Sequence, residues 1–495
     1  MFRYVRLKKR KGEVVILRSN DIVSLTNDLL FQVDGQFYLF HGLSGVISEL
    51  SPLGETILRH IPKRGISFGN LCHLLKQQYP AELIEEVVEE FIDQGIVTKN
   101  HVRKEVAQTP GVPIGSLPIQ TLVFHLINEC NLGCMYCYAG GGDYGKPMRA
   151  MDQKTAEQAL HFLMRSSGDL PRLSVVLFGG EPTLHWELVK HVVEYGKQLA
   201  QSYGKKIDFS ITTNATLLTE RRIDFLTQHE IGVSVSIDGD EAVQNQWRPF
   251  KNGMGSYNIV SKNVKKLVER YRHRPIAARV TLTKHFPPIR DTFFHLLHLG
   301  FYEVGFAPVT DTEEAFVLNS EELNRLLDDF EELTQLFIEE AARDRYLGFS
   351  NLAHVLIELH KGMNKAYGCG AGIGFFAVSP KGELFLCHRF NEQQNYRLGD
   401  IYTGIDRDVQ QKWLGMLHVD NKTTCSRCPL KHTCAGGCYY EAKERMGEIS
   451  SPNLHYCQWM KRWYTIALKA YVQIMKSNPA FLDRIAGIKD DCRVY

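Results

Sequence analysis

The stretch TLVFHLINECNLGCMYC, residues 121–137, joins an apolar run to three closely spaced cysteines. Its first half is rich in aliphatic, aromatic and β-branched residues, a composition typical of a buried strand. Cys130, Cys134 and Cys137 follow in the loop after that strand. Functional groups of a parallel α/β sheet collect at the carboxyl ends of its strands. The stretch therefore predicts a buried strand with a site at its end.

Three thiolates at this spacing indicate a metal site. In a [4Fe–4S] cluster they would bind three irons and leave the fourth iron open. A structural zinc site would need a fourth Cys or His, and the nearby His125 lies inside the predicted strand. The loop alone favours an iron–sulfur cluster and leaves zinc as the alternative.

Five further apolar runs follow along the chain, separated by helical stretches. They are LSVVLFG (173–179), IDFSITTN (207–214), GVSVSID (232–238), AARVTLT (277–283) and YEVGFAPV (302–309). Such alternation predicts parallel strands buried on both faces, in either a (β/α) barrel or a doubly wound sheet. Six strand and helix units fit a partial (β/α)6 barrel, so we expect an α/β fold of that kind.

Polar residues stand at the ends of the predicted strands. The second strand ends in GGEP (179–182) and the third in TTN (212–214). The glycine pair permits close approach of a ligand, and Glu181 offers a charged acceptor, although GGEP alone would also suit a β-turn. Ser236 ends the fourth strand; Arg248 follows it and would also suit a surface ion pair.

The cysteine triad after the first strand, with GGEP after the second, resembles the radical S-adenosylmethionine (SAM) superfamily. The resemblance implies that SAM binds the open iron and yields a 5′-deoxyadenosyl radical that abstracts a hydrogen atom, the cofactor supplying the difficult chemistry. It implies contacts to the adenine, amino group, ribose and carboxylate of SAM. The residues expected to make them or to line the same cavity are Tyr136, Gly179, Gly180, Glu181, Thr213, Asn214, Ser236 and Arg248.

Seven more of the 12 cysteines lie between Cys369 and Cys457, whereas Cys72 and Cys492 stand alone. Their order resembles the SPASM extension of peptide-modifying radical SAM enzymes, which binds two auxiliary [4Fe–4S] clusters and would bring the total to three. The resemblance implies a complete distal cluster and a proximal cluster with a vacant iron. The distal ligands would be Cys425, Cys428, Cys434 and Cys457, and the proximal ligands Cys369, Cys387 and Cys438. Two zinc ribbons are the alternative.

Short β-type runs and three helical segments precede residue 106, with Ser51 and Ser67 as expected N-caps. This order suggests a winged-helix-like domain, which resembles the element that captures the leader of a ribosomally made precursor peptide; a dimerisation or regulatory domain is the alternative. The expected units are a winged-helix domain (1–105), a linker (106–118), the barrel (119–317), a helical connection (318–365), a Cys-rich SPASM domain (366–460) and a C-terminal helix (461–495).

Composition excludes several classes of protein. With 58 Lys and Arg against 56 Asp and Glu, the formal net charge is +2, so nucleic acid is not expected as a partner. No apolar run is long enough for a membrane helix, and no signal sequence follows Met1, so we expect a cytoplasmic protein. A basic cluster at residues 3–11 would suit either a solvated tail or an acidic leader.

The vacant proximal iron motivates the functional hypothesis. It would suit a substrate thiolate held near a carbon radical, which is the requirement for a Cys sulfur-to-carbon thioether crosslink. The glycine-rich run AGGGDYG (139–145) and the overall plan resemble thioether-forming maturases, the quinohemoprotein amine dehydrogenase maturase among them. A flavodoxin- or ferredoxin-type electron donor is expected. Alternatives are carbon–carbon crosslinking, epimerisation, formylglycine maturation of a sulfatase, or a non-catalytic iron–sulfur or zinc module.

Overall fold

The computed structural model describes residues 17–26, 28–62, 64–101, 117–310, 313–362 and 364–487. The basic cluster at residues 3–11, most of the expected linker and Cys492 lie outside the described residues. Between residues 17 and 487 the fold is mixed α/β and is dominated by one large sheet.

The N-terminal unit, residues 17–101, combines short antiparallel strands with three helices. Its strands are β1 (Ile22–Leu25), β2 (Asp28–Val33), β3 (Gln36–His41), β4 (Val46–Glu49), β5 (Ile66–Ser67) and β6 (Val97–Lys99). Its helices are α1 (Pro52–His60), α2 (Phe68–Leu75) and α3 (Ala81–Asp93). The two expected N-caps are confirmed, because Ser51 accepts a hydrogen bond from the N–H of Gly54 and Ser67 from that of Asn70. The sheets are β5-β1-β6 and β2-β3-β4.

Six parallel strands follow, and they agree with the six runs expected from the sequence. They are β7 (Thr121–His125), β8 (Arg172–Phe178), β9 (Lys206–Thr213), β10 (Gly232–Ser236), β11 (Ile276–Leu282) and β12 (Glu303–Pro308). They lie side by side in chain order, which is the order of a partial (β/α) barrel and not of a doubly wound sheet, whose order reverses. The helices between them are α4 (Gln153–Ser166), α5 (Trp186–Ser202), α6 (Glu220–Gln228), α7 (Glu241–Trp247), α8 (Tyr257–Arg270) and α9 (Ile289–His298).

The rest of the described chain begins with two helices, α10 (Ser320–Ala342) and α11 (Ser350–His360), where a helical connection is expected. Four short strands come next: β13 (Phe375–Val378), β14 (Glu383–Phe385), β15 (Arg397–Asp400) and β16 (Gly404–Ile405). The last helices are α12 (Arg407–Leu417), α13 (Lys431–Cys434), α14 (Tyr439–Met446), α15 (Leu454–Ser477) and α16 (Pro479–Ile485). No helix in this or any other described part of the chain is long and apolar enough to cross a membrane.

The cysteine-rich region is more ordered than its sequence suggests. Although we expect a loop-rich segment there, β13 pairs in parallel with β7, and β14, β15 and β16 continue the same sheet with antiparallel pairs. Ala377 lies opposite Val123 and is fully buried with it. Strand pairing with the barrel, added to any metal, therefore orders this region.

The sheet formed by β2, β3 and β4 lies between two hydrophobic cores. Tyr38 and Phe40 point into the main core shared with the barrel, whereas Leu39 points into the N-terminal core. Helix α15 packs against β2, and the Lys476 ammonium group lies 5.4 Å from the ring centroid of Tyr38. Alternation along one strand thus joins the N-terminal unit to the barrel.

Candidate active site at the ends of the parallel strands

A cavity of about 210 Å³ lies at the carboxyl ends of the parallel strands. Its walls include the first cysteine triad and every residue that the sequence predicts for SAM binding. These residues are Cys130, Cys134, Tyr136, Cys137, Gly179, Gly180, Glu181, Thr213, Asn214, Ser236 and Arg248. Residues separated by more than 100 positions along the chain therefore meet at one place.

The backbone of the GGEP turn packs directly on the cysteine loop. A Cβ built on Gly180 would lie 2.1 Å from the carbonyl oxygen of Glu129, so a side chain at this position is excluded. Gly142, with φ of +102°, packs on the other side, where its Cβ would lie 2.8 Å from Cα of Gly180. One glycine of the run 139–145 is therefore explained by packing.

Both oxygens of the Glu181 carboxylate accept hydrogen bonds from the chain. Its Oε1 accepts from the N–H and hydroxyl of Thr183 and from the Thr213 hydroxyl, and its Oε2 accepts from the N–H of Asn214 at 2.7 Å. Burial raises the pKa of this carboxyl, and the four donors oppose that rise. Glu181 thus joins the ends of β8 and β9. The resemblance implies that it receives an amino group, and Oε2, which accepts only one hydrogen bond within the chain, keeps an acceptor site for it.

Arg248 is a buried residue of the cavity and not the surface ion-pair partner that the sequence left open. Its Nη1 donates a hydrogen bond of 2.7 Å to the hydroxyl of Tyr136, which donates in turn to Asp238. Nη1 also lies 3.8 Å from Oδ1 of Asp238. Its Nε is buried and has no hydrogen-bond partner among the described residues. The guanidinium group therefore keeps donors, Nε among them, for an anionic ligand such as a carboxylate.

The first triad suits a cluster better than a single ion. No three Cys, His, Asp or Glu side chains within the described residues converge closely enough to hold one metal ion. A four-iron cluster takes one thiolate on each iron and does not require that convergence. Burial raises the pKa of Cys130 to about 12, so this sulfur needs a cation beside it to lose its proton.

The seven C-terminal thiols fall into two groups. The first group is Cys369, Cys387 and Cys438, in which Cys369 and Cys387 each interact electrostatically with Cys438. In the second, the charges of the members act on one another in the same way; the group is Cys425, Cys428, Cys434 and Cys457. Burial raises the pKa of Cys387 and Cys434 to about 12. These two groups are the sets that the sequence resemblance implies.

The far end of the cavity contains residues that sequence reasoning missed. Arg389 lies there, and its Nη1 donates a hydrogen bond of 2.6 Å to the hydroxyl of Thr310. Its guanidinium carbon lies 5.4 Å from the ring centroid of Tyr138, and Nη1 lies 3.8 Å from Oε1 of Glu441. Among these residues, only Arg389 could have been recognised from the sequence, because it lies two positions beyond Cys387. The charges of Cys387 and Cys438, two members of the group of three thiols, act on Arg389.

Two histidines near the site, the buried His125 and the half-buried His388, do not line the cavity. His388 follows Cys387 and packs against the rings of Phe178 and Phe375. Burial lowers the pKa of His388 to about 3, so its ring is neutral near pH 7. The His125 ring packs against Phe178, and neither of its nitrogens has a hydrogen-bond partner among the described residues. Arg389, and not His388, lines the cavity.

Comparison with known proteins agrees with this geometry. Residues 124–287 match the radical SAM superfamily. An uncharacterised protein of Methanocaldococcus jannaschii is 30% identical over 42% of this chain and 69% of its own length. The radical SAM cyclopropyl synthase TigE of Paramaledivibacter caminithermalis is 22% identical over 84% of this chain and 89% of its own. The solved structure of anSMEcpe with bound AdoMet and the Cp18Cys peptide shares the fold, with a TM-score of 0.61 at 20% identity over 72% of this chain and 99% of that one.

The matched segment begins one residue before the end of β7 and includes the first triad, the GGEP turn and Arg248. It thus contains every residue that the sequence predicts for SAM binding, and all of these residues line the cavity. The relatives that align over most of the chain include enzymes that mature sulfatases or cyclise a peptide. The chain belongs to the radical SAM superfamily and is related to its peptide-modifying members.

Proposed function

We propose that this protein is a radical SAM maturase that modifies a ribosomally made precursor peptide by forming thioether links between Cys sulfur and carbon. The observation that carries the proposal is the group of three thiols, Cys369, Cys387 and Cys438, two of which act electrostatically on Arg389 in the wall of the cavity. Three thiolates leave one iron of a four-iron cluster open. An open iron beside the reacting carbon is what a substrate thiolate requires.

The residues of the first site fit their proposed cofactors. Cys130, Cys134 and Cys137 would hold one cluster, and the unpartnered Nε of Arg248 would receive the carboxylate of SAM. Glu181 would hold the ends of β8 and β9 in place, and its Oε2 would receive the amino group together with the glycine backbone. When bound, the cofactors supply removal of a hydrogen atom from an unactivated carbon.

The substrate end would orient the peptide and keep water out. Tyr138 and Val309 line this part of the cavity, and Thr310 holds Arg389 there by a hydrogen bond. Each link removes two hydrogens from the peptide: one atom from carbon and one proton from the thiol. Bond formation between sulfur and the carbon radical would release one electron, which the clusters would accept when bound, and SAM would be the net oxidant, ending as methionine and 5′-deoxyadenosine.

The precursor would bind through its leader at the N-terminal unit. Strand β4 pairs with β3 on one side, and no described strand pairs with its other side. An extended peptide can add to such an edge through backbone hydrogen bonds. As part of the proposal, we interpret the N-terminal unit as a winged-helix domain that recognises the leader. A flavodoxin- or ferredoxin-type protein would supply electrons.

Carbon–carbon bond formation is a second candidate. It is favoured by TigE, the cyclopropyl synthase that aligns with 84% of this chain. Such a reaction also removes two hydrogens when it closes a ring. It would leave every cysteine thiol of the peptide free, so the two candidates differ in the number of thiols that remain.

The test is co-expression of the full chain with each short reading frame beside its gene, followed by mass spectrometry of the peptide. We expect a loss of about 2 Da and one fewer alkylatable thiol per link. A loss of 2 Da with all thiols still alkylated would select carbon–carbon bonding, and inversion of a residue without mass change would contradict both.

The cofactor assignment has its own test. After anaerobic reconstitution we expect about twelve irons per chain, and about eight after Cys130, Cys134 and Cys137 are replaced by Ala. Zinc with little iron would contradict the assignment whatever the peptide does.

A further inference from the structure

Lys422 is a buried cation in the cysteine-rich region. Its side chain is 2% exposed, and its ammonium group lies 3.4 Å from the carbonyl oxygen of Ser451. No carboxylate within the described residues forms an ion pair with it. A buried ammonium group costs several kcal/mol unless negative charge compensates it. The charge that compensates Lys422 must therefore come from another kind of group.

The thiols of the second group are the neighbours that can supply this charge. Cys425 and Cys434 interact electrostatically with Lys422, and each would favour its charged form. The stem of Lys422 packs on Gly436, where a Cβ would lie 2.6 Å from Cδ of the lysine. Gly436 has φ of +83° and belongs to the turn that follows Cys434. A side chain at Gly436 would displace the lysine from these sulfurs.

Lys422 also lies beside the segment that joins the two thiol groups. Its ammonium group is 5.4 Å from the ring centroid of Tyr439, the residue that follows Cys438. The Tyr439 hydroxyl accepts a hydrogen bond of 2.9 Å from the N–H of Gly368, next to Cys369. The ammonium group of Lys422 thus lies near the group of four thiols and also near Tyr439, which is hydrogen-bonded to the loop of the group of three.

We propose that Lys422 sets the reduction potential of the distal cluster, the one held by Cys425, Cys428, Cys434 and Cys457. A nearby positive charge stabilises the reduced cluster, which carries one more negative charge than the oxidised cluster. The distal cluster is then a better electron acceptor than it would be without this charge. Electrons released at the proximal cluster would pass toward it. This inference rests on the proposed function, because it takes both thiol groups as cluster ligands.

The test is a potentiometric titration of the reconstituted full chain, followed by electron paramagnetic resonance. It is carried out with Cys130, Cys134 and Cys137 replaced by Ala, so that only the auxiliary clusters remain. We expect K422M to lower the equilibrium constant for reduction of one cluster about tenfold, which is about 59 mV for a one-electron couple. K422R, which keeps the charge, should stay within about twofold of the parent.

K443M is the matched control. Lys443 is a partly exposed lysine in the same region, and it is paired with Glu444 at 2.7 Å. Its replacement should leave both potentials unchanged. Unchanged potentials in K422M at full iron content would overturn the inference, as would an equal shift in K443M. If K422M binds less iron, K422Q replaces it, and loss of iron in both would show an assembly role and overturn the inference.

The failure of the proposed function would look different. In that case the co-expressed peptide would keep every alkylatable thiol, whichever residue stands at 422, and thiols that bind no cluster would show as no loss of iron when Cys425 and Cys428 are replaced by Ala. Two titrating clusters with no effect of K422M would overturn the role of Lys422 alone.

Discussion

Several residues at the cavity hold the backbone in place before any chemistry takes place. Gly180 lets the GGEP turn touch the cysteine loop, and Glu181 joins the ends of two strands through four hydrogen bonds. Tyr136 connects Arg248 to Asp238. The site therefore depends on a few contacts that a single substitution can test.

Gly180→Ala should disrupt the cysteine loop. The added methyl group would overlap the carbonyl of Glu129, and overpacking of this kind costs about 1–3 kcal/mol. Because the displaced backbone leads directly to Cys130, we expect loss of about four irons per chain and of SAM cleavage, measured as 5′-deoxyadenosine. Gly415→Ala is the control, since its Cβ would meet no atom within 4 Å and its φ is not positive. Equal iron loss in both variants would contradict this account.

Arg248→Gln should weaken SAM binding and destabilise the protein. The substitution removes the charge that faces the cavity and leaves Asp238 buried without a cationic partner, a change that costs about 3–5 kcal/mol. We expect the dissociation constant of SAM to rise at least tenfold, about 1.4 kcal/mol, in equilibrium dialysis. Arg274→Gln is the control, because Arg274 pairs with Asp208 at the surface. Unchanged SAM affinity in Arg248→Gln would remove Arg248 from the proposed binding set.

At the scale of elements, the six barrel strands were predictable because each is a continuous apolar run between helices. Strands β13 to β16 were not, because segments such as Phe375–Val378 and Glu383–Phe385 are too short to show a period. Strand β7, the partner of β13, lies about 250 positions earlier in the chain. Pairing over that separation comes from tertiary packing, which local sequence does not encode.

Strand β3 allows a test at this scale, since neighbouring residues face different cores. Tyr38→Ala should cost about 3–5 kcal/mol and increase hydrogen exchange in β2 and in the part of α15 near Lys476. Leu39→Ala, one position along, should increase exchange in α1, α2 and α3 instead. The same exchange pattern in both variants would show that the sheet does not separate the two cores.

At the scale of the whole molecule, much of the site could be inferred from the sequence because its residues stand at strand ends and in recognisable spacings. The cysteine triad and GGEP are local motifs, and parallel strands bring them together. Thr310 and Lys422 carry no such signal, and Arg389 has only its position next to Cys387 and His388, because their roles arise only where distant loops meet. The burial of Lys422 depends on a glycine 14 positions further along, at residue 436.

Removal of iron tests how the molecule divides its stability between packing and metal. Strand β13 is fully buried along Phe376, Ala377 and Val378, and it is held by backbone pairing with β7. We therefore expect hydrogen exchange in β7 and β13 to stay slow in iron-free protein. The loops that carry thiols, residues 366–374 and 418–438, should lose protection, because burial disfavours their thiolates when no cation is present.

Helix α3 is the internal control for this comparison, because it lies in the N-terminal core and contains none of the thiols. Its exchange should be the same with and without iron. Fast exchange in β13 after iron removal would mean that the metal, and not the strand pairing, joins the cysteine-rich region to the barrel. The same slow exchange in the thiol loops in both states would contradict the proposal that these cysteines bind clusters.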